Sequence, residues 1–315
     1  MTSSSDIGSP AGPLVACAGV AVLDAIYRVD EPPVQGEKNR ARAMVQSVGG
    51  CAANAAIAVQ RLGGQSRLAS VLGGPAGRDT IGDAILAALE REGVDTCQIM
   101  RVHGLDSPLS AIMVDARGER TIVHHRHPDL TEARFTDPQA IVAGAHALLI
   151  DNRHPGLVTG VAQAANRAGL PVIVDAERPM TRKDPLLALA SHIVFPAASL
   201  RESAGQRELG PALQSLRNWT AAFLAVTDGS RDILWLDGAK IRHHAAFCVP
   251  VADTLAAGDI FHGAFALALV EKQTEAEALR FAAATAALKC TRFGGGSAAP
   301  HRGEVMEFLA SLAAI

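Results

Sequence analysis

The chain has 315 residues, of which 49% are apolar, and a formal net charge of −3. This composition indicates a globular protein with material for one large α/β domain or two small ones. A nucleic-acid surface would need a basic excess, and no apolar run is long enough for a bilayer, so neither partner is expected. The five cysteines are scattered without a CxxC spacing, which predicts reduced thiols in a cytoplasmic protein.

The first half of the chain starts with a polar segment and continues with regular elements. Residues 1–12 lack the basic start and apolar run of a signal peptide and are predicted to form a mobile tail. The stretch LVACAGVAVLDAIY, 14–27, predicts a buried strand that ends at Asp24. Residues 47–64 predict a glycine-rich turn followed by a small-residue helix, and residues 79–93 predict a second helix.

The rest of the chain predicts a layered α/β domain. Residues 110–125 read as a hairpin around an Ala-Arg-Gly turn. Beyond residue 145, apolar strands alternate with helices, which predicts a mainly parallel sheet covered on both faces. In such a sheet ligands bind beyond the carboxyl ends of the strands. Polar residues at predicted strand ends are Asp24, 151–153, Asp175 and 227–229.

The stretch DTLAAGD, 253–259, leads directly into an apolar helix. The free amides of Ala256, Ala257 and Gly258 at the helix N-terminus could face a phosphate charge. Asp259, in the first turn, could accept a proton beside that charge. A capped, buried helix without a ligand would have the same sequence, so the loop alone leaves both interpretations open.

A second candidate is the stretch VGGCAANAA, whose paired glycines, including Gly50, allow close backbone approach. Asn54 is a polar residue on a helix of small residues, where it could bind a hydroxyl or bond locally to the backbone. Asp24 is either a turn residue or a ligand residue. Arg153 could meet an anionic substrate or form an ion pair at the rim.

The run HHRH, 124–127, raises the question of a metal site. The spacing of these residues is poor for a zinc site, and alternate residues of a hairpin face opposite sides. The competing interpretation is that one or two of them line a pocket. The P-loop, dinucleotide-binding and nucleophile-elbow motifs are all missing from the sequence.

The two glycine-rich stretches together resemble the ribokinase family, also called PfkB carbohydrate kinases. Its signatures GGxxxNxA and DTxGAGD match residues 49–56 and 253–259, and the resemblance covers about residues 14–312. It implies one domain over 13–315 with a three-layer αβα ribokinase-like fold. A mainly parallel central sheet would carry a small β-sheet lid, with lid strands from about 24–48 and 108–128.

The resemblance implies transfer of the γ-phosphate of ATP to a primary hydroxyl of a small sugar. Asp259 would be the general base, and the amides of Ala256, Ala257 and Gly258 would form the anion hole. Mg²⁺ would bridge the ATP phosphates. Many relatives use a monovalent cation such as K⁺ near this loop, which here would involve Asp253 and the segment 293–297.

The resemblance also assigns binding residues. The sugar would be bound by Asp24, Gly50, Asn54, Arg153 and Asp259. The nucleotide would be bound by Thr227, Gly229, Asp253, Thr254, Gly258 and Ala283.

Within the family the motifs are most similar to ketohexokinase and sulfofructose kinase. Arg153 falls where a sulfonate-binding arginine is expected, whereas His124 and Lys38 depart from that subgroup. The substrate is therefore expected to be a ketose, neutral or anionic. A nucleoside kinase and a catalytically silent sugar or nucleotide sensor stay open as alternatives.

Two departures from the family pattern concern the phosphate side of the site. The segment 195–199 lacks the Asn and Glu of an NxxE motif, so the motif predicts no Mg²⁺ ligand there. Ala256 replaces a glycine, and a positive φ at this residue would strain the loop by about 1 kcal/mol or more. A homodimer through the exposed lid sheet is a further expectation.

Overall fold

The computed structural model describes residues 12–313. Of the predicted tail, 1–12, all but Gly12 lies outside the described residues. The strands, in chain order, are β1 (Leu14–Ala18), β2 (Val22–Arg28), β3 (Ala43–Gly49), β4 (Gln65–Gly74), β5 (Asp95–His103), β6 (Leu109–Val114), β7 (Arg120–His125), β8 (Ala147–Asp151), β9 (Val172–Asp175), β10 (His192–Pro196), β11 (Phe223–Thr227), β12 (Ile233–Asp237) and β13 (Lys240–His244).

The helices pack on both sides of these strands. In chain order they are α1 (Cys51–Arg61), α2 (Thr80–Arg91), α3 (Asp129–Glu132), α4 (Pro138–Val142), α5 (Pro155–Arg167), α6 (Leu186–Leu189), α7 (Ala197–Ala204), α8 (Leu209–Leu216), α9 (Ala257–Val270), α10 (Glu275–Cys290) and α11 (Arg302–Ala313), with one short 3₁₀ turn at Gly296–Ala298.

A nine-stranded sheet in the order β13-β12-β11-β10-β9-β8-β1-β4-β5 forms the centre of the molecule. The pairs from β11 to β5 are parallel, and the hairpin β12–β13 adds an antiparallel edge. Successive side chains of a strand face opposite sides, so β1 sends Val15 and Cys17 into one buried cluster and Ala16 and Ala18 into another. The predicted three-layer α/β fold with a mainly parallel sheet is confirmed.

A second sheet of four strands, in the order β3-β2-β6-β7, carries its own small core. Ile26 and Ile112 are paired across β2 and β6, and both pack with Leu255 of the loop before α9. Phe293 packs at the edge of the same cluster. The small sheet therefore packs against residues 253–259, here called the anion loop, and against the segment that follows α10.

The single strand predicted over 14–27 is wrong, because this stretch forms β1 in the large sheet and β2 in the small one. The chain leaves the large sheet at Gly19, where a side chain would collide with the carboxylate of Asp151. The amide of Val20 donates to that carboxylate at 2.7 Å, which fixes the bend. Asp24 thus lies in the middle of β2 instead of at a strand end.

Strand β3 falls largely in the lid range, about 24–48, that the resemblance implied, whereas β5 was not predicted. The first four residues of β3 are exposed, and β5 is mostly half-buried, so neither shows the long apolar run that marks the central strands. Within residues 12–313, no helix combines the length and hydropathy that a membrane span requires.

Candidate active site

The segment 253–259 forms a loop that ends in the first turn of α9. Ala256, the residue before the helix, has φ 62° and ψ 5°, which is the left-handed region. The amide of Ala257 donates to the Thr254 carbonyl at 3.3 Å. Within residues 12–313, the amides of Ala256, Gly258 and Asp259 donate to no acceptor. Because the positive end of a helix favours anions, these three amides are available for a phosphate-like group.

The start of this loop is held by Asp253, which is fully buried. Its carboxylate accepts the amide of Leu255 at 2.6 Å and the amide of Gly294 at 2.9 Å. The ammonium of Lys289 donates to the Asp253 carbonyl at 3.1 Å and lies 3.3 Å from the carboxylate. Asp253 therefore ties the loop to the end of α10 and to the segment that follows α10.

Asp259 and Asn54 connect the two signature stretches directly. The side-chain amide of Asn54 donates to the Asp259 carboxylate at 2.7 Å. The pKa of Asp259 is raised to about 6: burial raises it most, the Asn54 hydrogen bond lowers it, and the charge of Glu177 raises it. The other atom of the Asn54 amide, Oδ1, is buried and has no hydrogen-bond partner in the described part of the chain. It can therefore accept a hydrogen bond from a hydroxyl group of a ligand.

Asp24 faces the same site from the small sheet. In the register of that sheet it lies between Ser47 of β3 and Ser110 of β6. Burial raises its pKa to about 7, a hydrogen bond from Ser110 lowers it, and the charge of Asp259 raises it. A side chain at Gly49 would collide with the Asp24 carboxylate. The glycine, the last residue of β3, therefore makes room for the Asp24 carboxylate within the small sheet.

Gly50 is the residue that precedes α1, and its φ of 94° is rare for residues with a side chain. A side chain here would also collide with the carbonyl of Val20. Gly50 thus lets α1 begin directly against the β1–β2 bend, which puts Asn54 within reach of Asp259.

The rim beyond Asp151 carries positive charge. Arg153 forms an ion pair with Glu177 at 2.6 Å and leaves 45% of its side chain exposed. Arg126 forms no ion pair among residues 12–313 and lines a small cavity with His154 and Gly19. Burial lowers the pKa of His154 to about 4, helped by the charges of Arg126 and Arg153. The Nε2 atom of His154 is buried and has no partner within the described residues.

The run HHRH does not form a metal cluster within the described residues. His124 Nδ1 lies 3.1 Å from the Ser110 hydroxyl, next to Asp24, and Arg126 lines the cavity beside His154. The structure therefore favours pocket lining by these two residues over a zinc site.

Asp175 offers ligand atoms that suit Mg²⁺, whereas the segment 195–199 does not. Oδ1 of Asp175 is buried without a partner, and ligand atoms of Asp175, Asp259 and Cys51 lie within 4.8 Å of one another. Carboxylate oxygens suit Mg²⁺, whereas a thiol does not. Ser199 uses its hydroxyl to bond the Ala176 carbonyl at 2.6 Å. Asp175 therefore offers an oxygen that suits Mg²⁺ and has no partner within the described residues.

The nucleotide residues predicted from the resemblance are less closely grouped. Thr227 ends β11, and Gly229 has φ 61° in the turn that follows. Ala283 is buried on α10, and the Thr254 hydroxyl accepts from Arg120 at 2.9 Å. No hydrogen bond between described residues joins Thr227 or Gly229 to the anion loop, so the nucleotide site stays a prediction.

Several residues of the site were not identified from the sequence, namely Lys289, Glu177 and Cys51. Asp175 was noted only as a strand end. Cys51 lies inside the GGxxxNxA signature, and Glu177 lies two residues beyond a predicted strand end, so their positions gave a signal. No pattern in the sequence marks Lys289 as a site residue, because a lysine in the last turn of a helix is usually a surface residue.

Three comparisons place the chain among known proteins. The family model described as pfkB family carbohydrate kinase matches residues 13–302. The ribokinase of Haemophilus influenzae is 31% identical over 272 residues, which are 83% of this chain and 87% of that protein.

Solved structures agree with this result. A crystal structure from Agrobacterium tumefaciens superposes with a TM-score of 0.91 at 34% identity, covering 96% of this chain and 99% of that one. The ribokinase of Arabidopsis thaliana, complexed with ribose and ATP, superposes with a TM-score of 0.78 at 26% identity over 95% and 99% of the two chains.

Proposed function

Because the chain belongs to the pfkB family of carbohydrate kinases, whose members are phosphotransferases with an alcohol acceptor, we propose that it phosphorylates a small ketose at a primary hydroxyl. The phosphoryl donor is ATP, and the leading substrate class is a fructose-like or anionic, sulfofructose-like ketose. The observation that carries the proposal is the position of Asp259. It lies beside three free helix amides and is hydrogen-bonded to Asn54 at 2.7 Å.

The reaction needs a base, an acceptor hydroxyl and a site for the transferred charge. Asp259 is ionised above a pH of about 6 and takes the proton from the sugar hydroxyl. The hydroxyl oxygen bonds to the γ-phosphorus of ATP while the bond from that phosphorus to the β,γ-bridging oxygen breaks and ADP leaves. The amides of Ala256 and Gly258 then stabilise the charge on the phosphoryl oxygens. Asn54, bonded to Asp259 on one side, offers its free Oδ1 to a second sugar hydroxyl.

The remaining residues orient the two substrates. Asp24, on the small sheet, accepts hydrogen bonds from hydroxyl groups of the sugar. The small sheet covers the sugar and excludes water. Asp175 would hold Mg²⁺ through its Oδ1 atom, and neutralisation of the ATP phosphates is the chemistry that this ion supplies when bound. The adenine side of the nucleotide is assigned to Thr227, Gly229 and Ala283.

The preference for an anionic ketose rests on the positive rim. Arg126 forms no ion pair within residues 12–313, and Nε2 of His154 is buried without a partner in the same small cavity. Arg153 lies next to them with its guanidinium partly exposed. A sulfonate or phosphate on the far end of the sugar would pair with the exposed part of the Arg153 guanidinium, with the charge of Arg126 close by.

A homodimer through the small sheet completes the proposal. Across β3, β2, β6 and β7 the register aligns Met44, Tyr27 and Met113 in one row, on the face opposite Asp24. Val123 lies on the same face and is 63% exposed, and Met44 is 53% exposed. A second copy of the sheet would cover this apolar face.

The experiment that tests the function is an ADP-release assay over ribose, fructose, psicose, sugar acids, fructose 6-phosphate, sulfofructose and adenosine. The proposal predicts turnover with a ketose and a lower KM for the ketose that carries an anion. Turnover with adenosine alone would establish the nucleoside kinase instead. Ligands that raise the melting temperature without any ADP release would establish the silent sensor.

A further inference from the structure

The residues predicted to hold a monovalent cation do not fit one in this chain. The carboxylate oxygens of Asp253 accept the amides of Leu255 and Gly294, and its carbonyl accepts the ammonium of Lys289. The same ammonium lies 3.3 Å from the Asp253 carboxylate. A K⁺ ion at Asp253 would have to displace these donors and approach an existing positive charge.

Lys289 is unusual because its side chain has no exposed surface. Its contacts explain how a charge is kept there. Burial lowers its pKa, and the carboxylate of Asp253 raises it. A buried ammonium is tolerated when it is paired and hydrogen-bonded, and both contacts come from one residue of the anion loop. The ammonium is a compact, monovalent charge, as K⁺ is.

Asp253, the partner of the ammonium, and Ala252 before it join the loop to the end of α10 and to the segment that follows α10. The amides of Ala252 and Asp253 donate to the Cys290 carbonyl at 2.8 and 3.2 Å. Gly294 is bound through the Asp253 carboxylate. Lys289 thus neutralises the one buried acid on which the position of residues 253–256 depends.

We propose that the ammonium of Lys289 is a built-in monovalent cation, which positions the anion loop and makes phosphoryl transfer independent of K⁺. The inference rests on the proposed function, because the anion loop must bind the transferred phosphoryl group. Lys289 is a positioning residue in this view, since it acts on the substrate only through Asp253 and the loop amides.

The first test compares initial rates of the wild-type enzyme in chloride salts of tetramethylammonium, Na⁺, K⁺ and NH₄⁺ at equal ionic strength. The proposal predicts the same rate in all four. A rate that is higher in K⁺ and NH₄⁺ than in the other two salts would overturn it, because the ammonium of Lys289 already occupies the place of the added ion.

The second test uses two substitutions that differ in the space they leave. Lys289→Ala removes the charge and opens room for an ion, so its rate should fall by about 10–100-fold in tetramethylammonium and recover in K⁺. Lys289→Met removes the charge but fills the space, so its rate should stay low in every salt. Lys240→Ala, at an exposed lysine of β13, is the control and should behave as wild type.

Thermal unfolding in the same salts gives a readout that does not depend on turnover. K⁺ should raise the melting temperature of Lys289→Ala above its value in tetramethylammonium, and should leave the wild type and Lys289→Met unchanged. Equal melting temperatures of Lys289→Ala in all salts would overturn the proposal. If no sugar is turned over by the wild type, the proposed function fails, and the melting temperatures still decide the role of Lys289.

Discussion

Asn54 and Asp259 lie 205 positions apart in the chain, and their side chains are joined by a hydrogen bond of 2.7 Å. Asn54 belongs to the first helix and Asp259 to the first turn of α9. The contact brings the sugar-side stretch and the phosphate-side stretch into one site.

Replacing Asn54 with Leu should lower kcat/KM by at least tenfold, because the substrate hydroxyl loses its acceptor and Asp259 loses its donor. The Asn54 bond lowers the pKa of Asp259, so its removal should also move the acidic limb of the pH–rate profile upward. Rates measured from pH 5 to 9 check both effects. Asn166→Leu, on the exposed face of α5, is the control, and an unshifted limb in Asn54→Leu would contradict the role of the bond.

The pH dependence of the wild type should follow the ionisation of Asp259. As the pH rises through about 6, the carboxylate loses its proton and becomes able to act as base, so kcat/KM should rise between pH 5 and 7. Kinetics at saturating ATP check this limb. A profile that is flat between pH 5 and 7 would show that no group of this pKa is needed.

Asp24 should stabilise sugar binding while destabilising the fold at neutral pH. Its folded-state pKa of about 7 lies above the ordinary value, so its contribution to stability is present at low pH and is lost as the pH rises through 7. Asp24→Asn should therefore raise the melting temperature at pH 8 but not at pH 4, and should raise the KM of the sugar. Asp106→Asn, at an exposed loop position, is expected to change neither quantity.

Ala256 should be a strained position. Its left-handed backbone costs an alanine about 1 kcal/mol or more relative to glycine, so Ala256→Gly should raise the free energy of unfolding by up to that amount. Ala87→Gly, at an exposed position within α2, should lower it by about 1 kcal/mol. Urea denaturation measures both, and a loss of stability in Ala256→Gly would show that the residue is not strained in solution.

The exposed face of the small sheet should be a dimer interface. Val123→Glu combined with Met44→Glu should convert a dimer to a monomer, because each copy would bury two unpaired carboxylates. Light scattering after size exclusion measures the mass. Met306→Glu, which changes an equally exposed methionine of α11, should leave the dimer intact, and a wild-type monomer at micromolar concentration would refute the interface.

The sequence was sufficient for the layered fold and for the two signature stretches, because continuous apolar strands and glycine-rich turns carry strong local signals. It failed at β2, because no local pattern shows that the chain changes sheets at Gly19. That bend depends on the carboxylate of Asp151, which comes from a distant strand. The burial of Lys289 could not be predicted for the same reason, since its partner Asp253 belongs to another segment of the chain.

The most direct test of the proposed function is the rate of phosphoryl transfer by Asp259→Asn in a single turnover with the preferred sugar. The substitution keeps the shape of the side chain but removes the base, so the transfer rate should fall by about 10²–10⁴-fold while the Kd of the sugar changes little. A variant that binds the sugar and transfers the phosphoryl group within a few-fold of the wild-type rate would contradict the role assigned to Asp259.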